Sequence, residues 1–240
     1  MKKFGFTLAE VLITLGVIGV VAAITLPILT KNYQKHVWVN QLKANYSIIN
    51  QGFAKIMADD GVDNLANTEI WQHVINSGSI DGCRYLDTEA TSETCKEFYE
   101  SLKKYFSITS IEIKNKTYKI NGISNTTENI NGPLFNLSNG AQIFRTYFRQ
   151  DGYVYLTIDI NGDKKPNTNG RDVFHFANIY KNHSGYGAMF RGIGSCNTTS
   201  PYDCWKTSPT YIGCGCGNDY TGRWNGCAGR IIENGWKMDY

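Results

Sequence analysis

Residues 1–29 read MKKFGFTLAEVLITLGVIGVVAAITLPIL, and this stretch governs how the rest of the chain is read. From Val11 to Ile24 the run VLITLGVIGVVAAI is apolar, and apolar character resumes at Leu26, Ile28 and Leu29 beyond Thr25 and Pro27. At about 1.5 Å per residue, a helix from Val11 to Leu29 spans roughly 28 Å, close to the ~30 Å hydrocarbon core of a bilayer. Lys2 and Lys3 precede it, so the short N-terminal end is expected to stay cytoplasmic and the remainder to be exported. A buried core helix fits poorly, because the run has no polar stripe. A cleaved secretory signal also fits poorly, because Ala22-Ala23 is followed by Ile24-Thr25-Leu26-Pro27 rather than a small-residue cut site. A plain membrane anchor remains, and it leaves Glu10 unexplained. A carboxylate in such a helix costs up to about 3 kcal/mol near the bilayer centre and needs a partner.

The segment Lys2-Lys3-Phe4-Gly5-Phe6-Thr7-Leu8-Ala9-Glu10-Val11 resembles the type IV prepilin signature: a short basic leader ending in Gly, then Phe-Thr-Leu-x-Glu opening a long hydrophobic helix. The resemblance implies that a membrane prepilin peptidase cuts between Gly5 and Phe6 and methylates the new amine of Phe6. It also implies that this amine pairs with Glu10 of a neighbouring subunit during assembly. The α-amino group stays largely cationic at neutral pH, and a helix displaced along the filament would leave a charge unpaired in an apolar surround. Glu10 also lies in the first turn, where the helix dipole favours an anion. Pro27 falls where family members carry a helix-bending proline; a tolerated membrane-helix proline is the competing reading. Gly16 and Gly19 permit close helix approach or local melting.

Beyond the membrane run, Tyr33, Val37, Leu42, Tyr46, Ile49, Phe53 and Ile56 or Met57 recur at helical spacing, with Lys31, Lys35, Lys43 and Lys55 between them. The helix is expected to run from Thr7 to Ala58, roughly 75 Å, and to stop near Asp59-Asp60-Gly61. The expected organisation is a leader at 1–5, a transmembrane and assembly helix at 6–30, its amphipathic continuation at 31–60, and an exported globular α+β domain at 61–240 with a Cys-rich tail at 196–240. Shorter helices are expected at Thr68–Asn76 and Glu93–Phe106, the latter with capping-box spacing between Thr94 and Glu97. Strand patterns cover Ser110–Lys114, Thr117–Asn121, Leu134–Leu137, Gln142–Phe148, Tyr153–Ile160 and Asp172–Phe176. Asn139-Gly140 and Asp151-Gly152 read as two-residue hairpin turns, and Asn234-Gly235 as a last hairpin. An antiparallel meander docked on the exported half of the helix is the pilin-like α+β architecture that the resemblance implies.

The loop from Asp159 to Asp172, DINGDKKPNTNGRD, places oxygen side chains at alternate positions. Asp159, Asn161, Asp163, Asn167 and Asp172 are its candidate calcium ligands, Asp172 standing in for a glutamate because Gly170 occupies the twelfth position. Some pilin-like proteins of secretion systems hold calcium in a loop beside the sheet. An ordinary Asn/Asp/Gly-rich turn is the competing reading. No other cofactor is indicated.

Seven cysteines, Cys83, Cys95, Cys196, Cys204, Cys214, Cys216 and Cys227, all follow the apolar segment. Export would place them in an oxidising compartment, and an odd number leaves at least one free or bonded to another chain. Cys83 and Cys95 are a candidate pair; the other five staple a Gly-rich tail. A zinc knuckle from Cys204, Cys214, Cys216 and Cys227 is a further possibility, against which the Cys-Gly-Cys spacing is tight.

With 24 basic and 21 acidic residues spread along 240, the formal charge of +3 includes no basic run suited to a phosphate backbone, so nucleic acid is not suggested as a partner. His36, His73, His175 and His183 are scattered, and no nucleophile elbow, His-Glu-x-x-His or phosphate loop is present. The leading expectation is therefore a non-catalytic structural subunit of a type IV pilus or type II secretion pseudopilus. Its partners would be copies of itself, other pilin-like subunits, the prepilin peptidase, inner-membrane assembly machinery and membrane lipid. It would sit single-pass in the inner membrane with its C-terminal domain exported, then in a periplasmic or extracellular filament. A tip adhesin on the same anchor and an envelope-tethered enzyme are the alternatives.

Overall fold

The computed structural model describes residues 5, 7–76, 83, 93–121, 126–180, 186–192, 215–217 and 224–240. Its contacts divide the chain into two units, residues 1–37 and 38–240. Helix α1, Leu8–Asp60, runs through both and continues past Pro27. In the first unit every Leu, Ile and Val from Leu8 to Leu29 is at least 42% exposed. That helix is long and apolar enough to cross a membrane. The hydroxyls of Thr14, Thr25 and Thr30 donate to carbonyls three or four residues back, so the polar atoms within the run are satisfied inside the helix.

In the second unit α1 changes character. Val39, Leu42, Asn45, Ile49, Gly52, Phe53, Ile56 and Met57 are buried at three- and four-residue spacing and form one face. That face meets a six-stranded sheet in the order β1 to β6, each strand antiparallel to the next: β1 Ile108–Lys119, β2 Thr127–Leu137, β3 Gln142–Phe148, β4 Val154–Asp159, β5 Val173–Tyr180 and β6 Tyr186–Gly192. Tyr33, expected on the buried face, is 69% exposed and lies in the first unit. Phe53 is central to the core: its ring stacks on Phe190 at 4.6 Å and meets Phe106 edge-on at 5.0 Å. Helices α2, Glu69–Asn76, and α3, Glu93–Leu102, close one end of the core through Trp71, whose ring meets Phe98 at 5.2 Å and Phe148 at 5.8 Å. The side chain of Thr94, expected in a capping box, lies outside the described residues; Glu97 instead faces His73 at 3.2 Å. The edge strand β6 is covered by α1, because Tyr46 Oη donates to Phe190 O and Phe190 N donates to Asn50 Oδ1.

β2 pairs with β1 along its length but with β3 only at Phe135 and Asn136. The distal part of the β1–β2 ribbon therefore leaves the sheet plane and folds across its second face. A small second core of Tyr118, Ile120, Ile130, Leu134, Phe144 and Val173 forms there. A bulge in β3 places Arg145 at φ +49°, and its guanidinium bridges to Glu128 Oε2 at 3.0 Å and Tyr118 Oη at 2.9 Å.

Several local expectations are corrected. The two segments expected before and after Asn115-Lys116 are one strand, β1, because its partner β2 is itself long and holds both in register. β5 continues to Tyr180, and β6 is an additional strand whose two glycines weaken the alternation signal. The turns at Asn139-Gly140 and Asp151-Gly152 are three-residue loops rather than two. In each the glycine is left-handed, φ +85° and +86°, and the preceding Asn or Asp oxygen accepts from the backbone N–H two residues on. Asn234-Gly235 is no hairpin. Residues Cys227–Glu233 form helix α4, and Gly235 ends it at φ +67°, with Trp236 N donating to Ile231 O and Gly235 N to Ile232 O.

Candidate functional site

Two places carry chemistry. At the start of α1, Thr7 and Glu10 form a reciprocal cap. Glu10 Oε2 accepts from Thr7 N and from Thr7 Oγ1, each at 2.8 Å, while Glu10 N donates to Thr7 Oγ1 at 3.3 Å. This is the capping-box arrangement, with the acid three residues after the threonine. Both bonds use one carboxylate oxygen; Oε1 accepts no hydrogen bond among the described residues. Gly5 is exposed, and Phe6 lies outside the described residues.

The second place is the connection from β4 to β5. Asp159, at the end of β4, is fully buried, and Lys116 Nζ reaches it from β1 at 3.0 Å. The same ammonium donates to Gly162 O at 3.1 Å, to Asp163 Oδ1 at 2.9 Å and to Gln142 Oε1. Burial pushes the Asp159 carboxyl up to about 7, against the opposing pull of Lys116. Lys116 holds the Asp163 carboxyl below its usual value. Asp172 accepts from the backbone N–H groups of Asn167 and Thr168, at 2.9 and 2.6 Å, and so folds the loop's second half, while burial raises its carboxyl.

Between these groups lie the amides of Asn161 and Asn167. The inward atom of the Asn161 amide is 2.9 Å from Asp159 Oδ1 and 3.0 Å from Lys164 O. That of Asn167 is 2.7 Å from Lys164 O, 3.2 Å from Gly162 O and 3.2 Å from Asp159 Oδ2. In both residues the inward atom is the amide nitrogen, so the five contacts are N–H···O hydrogen bonds donated to the loop's carbonyls and to Asp159. Among the described residues no three His, Cys, Asp or Glu side chains converge as a metal site.

Comparison with known proteins places two segments of the chain separately. Residues 1–26 match the prokaryotic N-terminal methylation motif, typical of type IV pilins and pseudopilins. Residues 28–240 match a family of unknown function, DUF6613. The chain belongs to the DUF6613 family. No curated protein and no solved structure matches it. This DUF6613 chain is thus a type IV pilin-like prepilin with the long helix and antiparallel sheet of a pilin-like α+β fold.

Of the loop residues singled out in the sequence, the fold brings Asp159, Asn161 and Asn167 together. It directs Asp163 to Lys116 and Asp172 to the backbone. Lys116, Gln142 and the carbonyls of Gly162 and Lys164 were not foreseen. Lys116 shares its strand face with buried Tyr118, a parity that hinted at burial, but only the fold-over of the β1–β2 ribbon brings it to β4. Cys83 bonds Cys95, as expected, and Cys216 bonds Cys227. The second bond removes two of the four thiolates that a zinc knuckle would need. Cys196, Cys204 and Cys214 lie outside the described residues.

Proposed function

We propose that this DUF6613 chain is a non-catalytic structural subunit of a filament of the type IV pilus or type II secretion pseudopilus kind. The observation that carries this reading is the exposed apolar helix from Leu8 to Leu29 with Glu10 as its one acidic residue, directly after the processing motif. A surface of that kind needs lipid or other copies of itself to cover it. Cleavage after Gly5 would free the Phe6 amine, and methylation would leave it basic. In the low dielectric of a helix bundle the Glu10 carboxylate of a neighbour pairs with it, fixing the axial register. The Thr7 cap suits this role, since it holds the Glu10 carboxylate at the start of the helix through Oε2. Pro27, lacking its N–H, gives the packed helix a place to bend. The subunit's partners are then its own copies, related pilin-like subunits and inner-membrane assembly machinery.

The test of the filament reading is Glu10→Val. The variant should be cleaved at Gly5/Phe6 as the wild type is, yet give few sheared filaments. Wild-type filament yield from a correctly processed variant would contradict the charge-pair mechanism.

A further inference from the structure

Where the β1–β2 ribbon crosses the sheet, a buried amine meets a buried carboxyl. Lys116 is 5% exposed and Asp159 not at all, and Nζ of the first lies 3.0 Å from Oδ2 of the second, which sets the nitrogen beside the carboxyl carbon Cγ. The same ammonium is aimed by Gln142 Oε1 and by Gly162 O, the latter at 3.1 Å. Asp163 Oδ1, at 2.9 Å, is a further acceptor, and it opens to solvent, its side chain being 71% exposed. The carboxyl of Asp159 is ringed by donors. Asn161 reaches Oδ1 with Nδ2 at 2.9 Å and with its backbone N at 3.3 Å, and Asn167 Nδ2 reaches Oδ2 at 3.2 Å. The Phe144 ring, 6.0 Å from Nζ, lies over the ammonium.

We propose that Lys116 and Asp159 condense to an isopeptide bond, a covalent staple between β1 and β4 that forms once the chain has folded. The ion pair is its reactant state. Nζ gives one proton to Oδ2, and burial assists this, because it raises the Asp159 carboxyl to about 7. The freed amine forms the Nζ–Cγ bond, and the carbonyl electron pair moves onto Oδ1, where the two Asn161 donors stabilise it. Asp163 takes a second proton from the nitrogen and delivers it to Oδ2; the Cγ–Oδ2 bond breaks and one water leaves. Of the ammonium's three protons, one stays on the new amide and two depart in that water, so no other reactant is consumed. Holding the two groups side by side supplies an effective concentration on the order of 10⁵–10⁸ M for well-oriented partners. Loss of both charges also removes the desolvation cost that a buried ion pair carries. The product ties the folded-over ribbon to the sheet, so that β1 cannot peel away without breaking a covalent bond.

The experiment is mass spectrometry of the full-length wild-type protein, purified in detergent, reduced, alkylated and digested with trypsin. The expected result is that the peptides carrying Lys116 and Asp159 are joined, one water lighter than their sum, and that trypsin does not cut after Lys116. Separate peptides with cleavage after Lys116 would overturn the proposal, as would a link from Lys116 to Gln142 that is one ammonia lighter. The wild type alone decides between these outcomes, so no variant has to fold. Asp163→Ala alters an exposed side chain and tests the proton transfer. In pulse-labelled cells the joined peptide should accumulate at least tenfold more slowly in this variant; a wild-type rate would overturn the role given to Asp163. Lys116→Arg keeps a cation beside Asp159 and should show no joined peptide and no loss of water; a joined peptide there would place the bond elsewhere and overturn the assignment.

Discussion

Lys116 Nζ lies 3.0 Å from Asp159 Oδ2, an ammonium carried by β1 against a carboxylate that ends β4, both buried. The strands are not neighbours in the sheet, so this ion pair exists because the β1–β2 ribbon folds over. Around it Asp159, Asp163 and Asp172 stand against Lys116 and the loop's own Lys164, Lys165 and Arg171.

Lys116→Met should lose about 3 kcal/mol of stability in chemical denaturation, because a buried carboxylate is left without its partner. Asn161→Ala and Asn167→Ala, which leave loop oxygens without a donor, should each cost about 1–3 kcal/mol. Wild-type stability in all three would contradict the packing of this loop.

Helix α1, the antiparallel meander and the Asn/Asp-rich loop were legible because each depends on local pattern: an apolar run, alternation, and turn residues. What was not legible depends on long-range folding. Lys116 looks like a solvated strand lysine until the ribbon curls. Asn234-Gly235 satisfies a hairpin rule and a helix-termination rule equally, and the choice is made by Ile231 and Ala228, which pack into the core and hold α4 as a helix. Glu10 was read through its partner in a neighbouring chain; its local bond to Thr7 follows from the same four residues, since Thr-x-x-Glu is a capping pattern.

Phe53 touches Phe190, Phe106 and Trp71, joining α1 to the sheet and to the helical end of the core. Phe53→Ala should destabilise the domain by about 3–5 kcal/mol, read by chemical denaturation. A loss below 1 kcal/mol would mean that α1 is not packed on the sheet as described.

Gly192, the last residue of β6, lies against α4: a Cβ there would stand 2.5 Å from the backbone of both Ala228 and Gly229. Gly192→Ala should therefore push α4 off the sheet and cost about 1–3 kcal/mol, the range for overpacking, despite alanine's better fit to a strand. A neutral or stabilising effect in thermal unfolding would refute this packing.

The central claim concerns the N-terminus, where Gly5, Phe6 and Glu10 define how the chain is processed and how it joins its neighbours. Mass spectrometry of the mature protein purified from its membrane tests it most directly. The account predicts a chain that begins at Phe6 and carries an N-methyl group, with residues 1–5 absent; a mature chain that still begins at Met1 would contradict it.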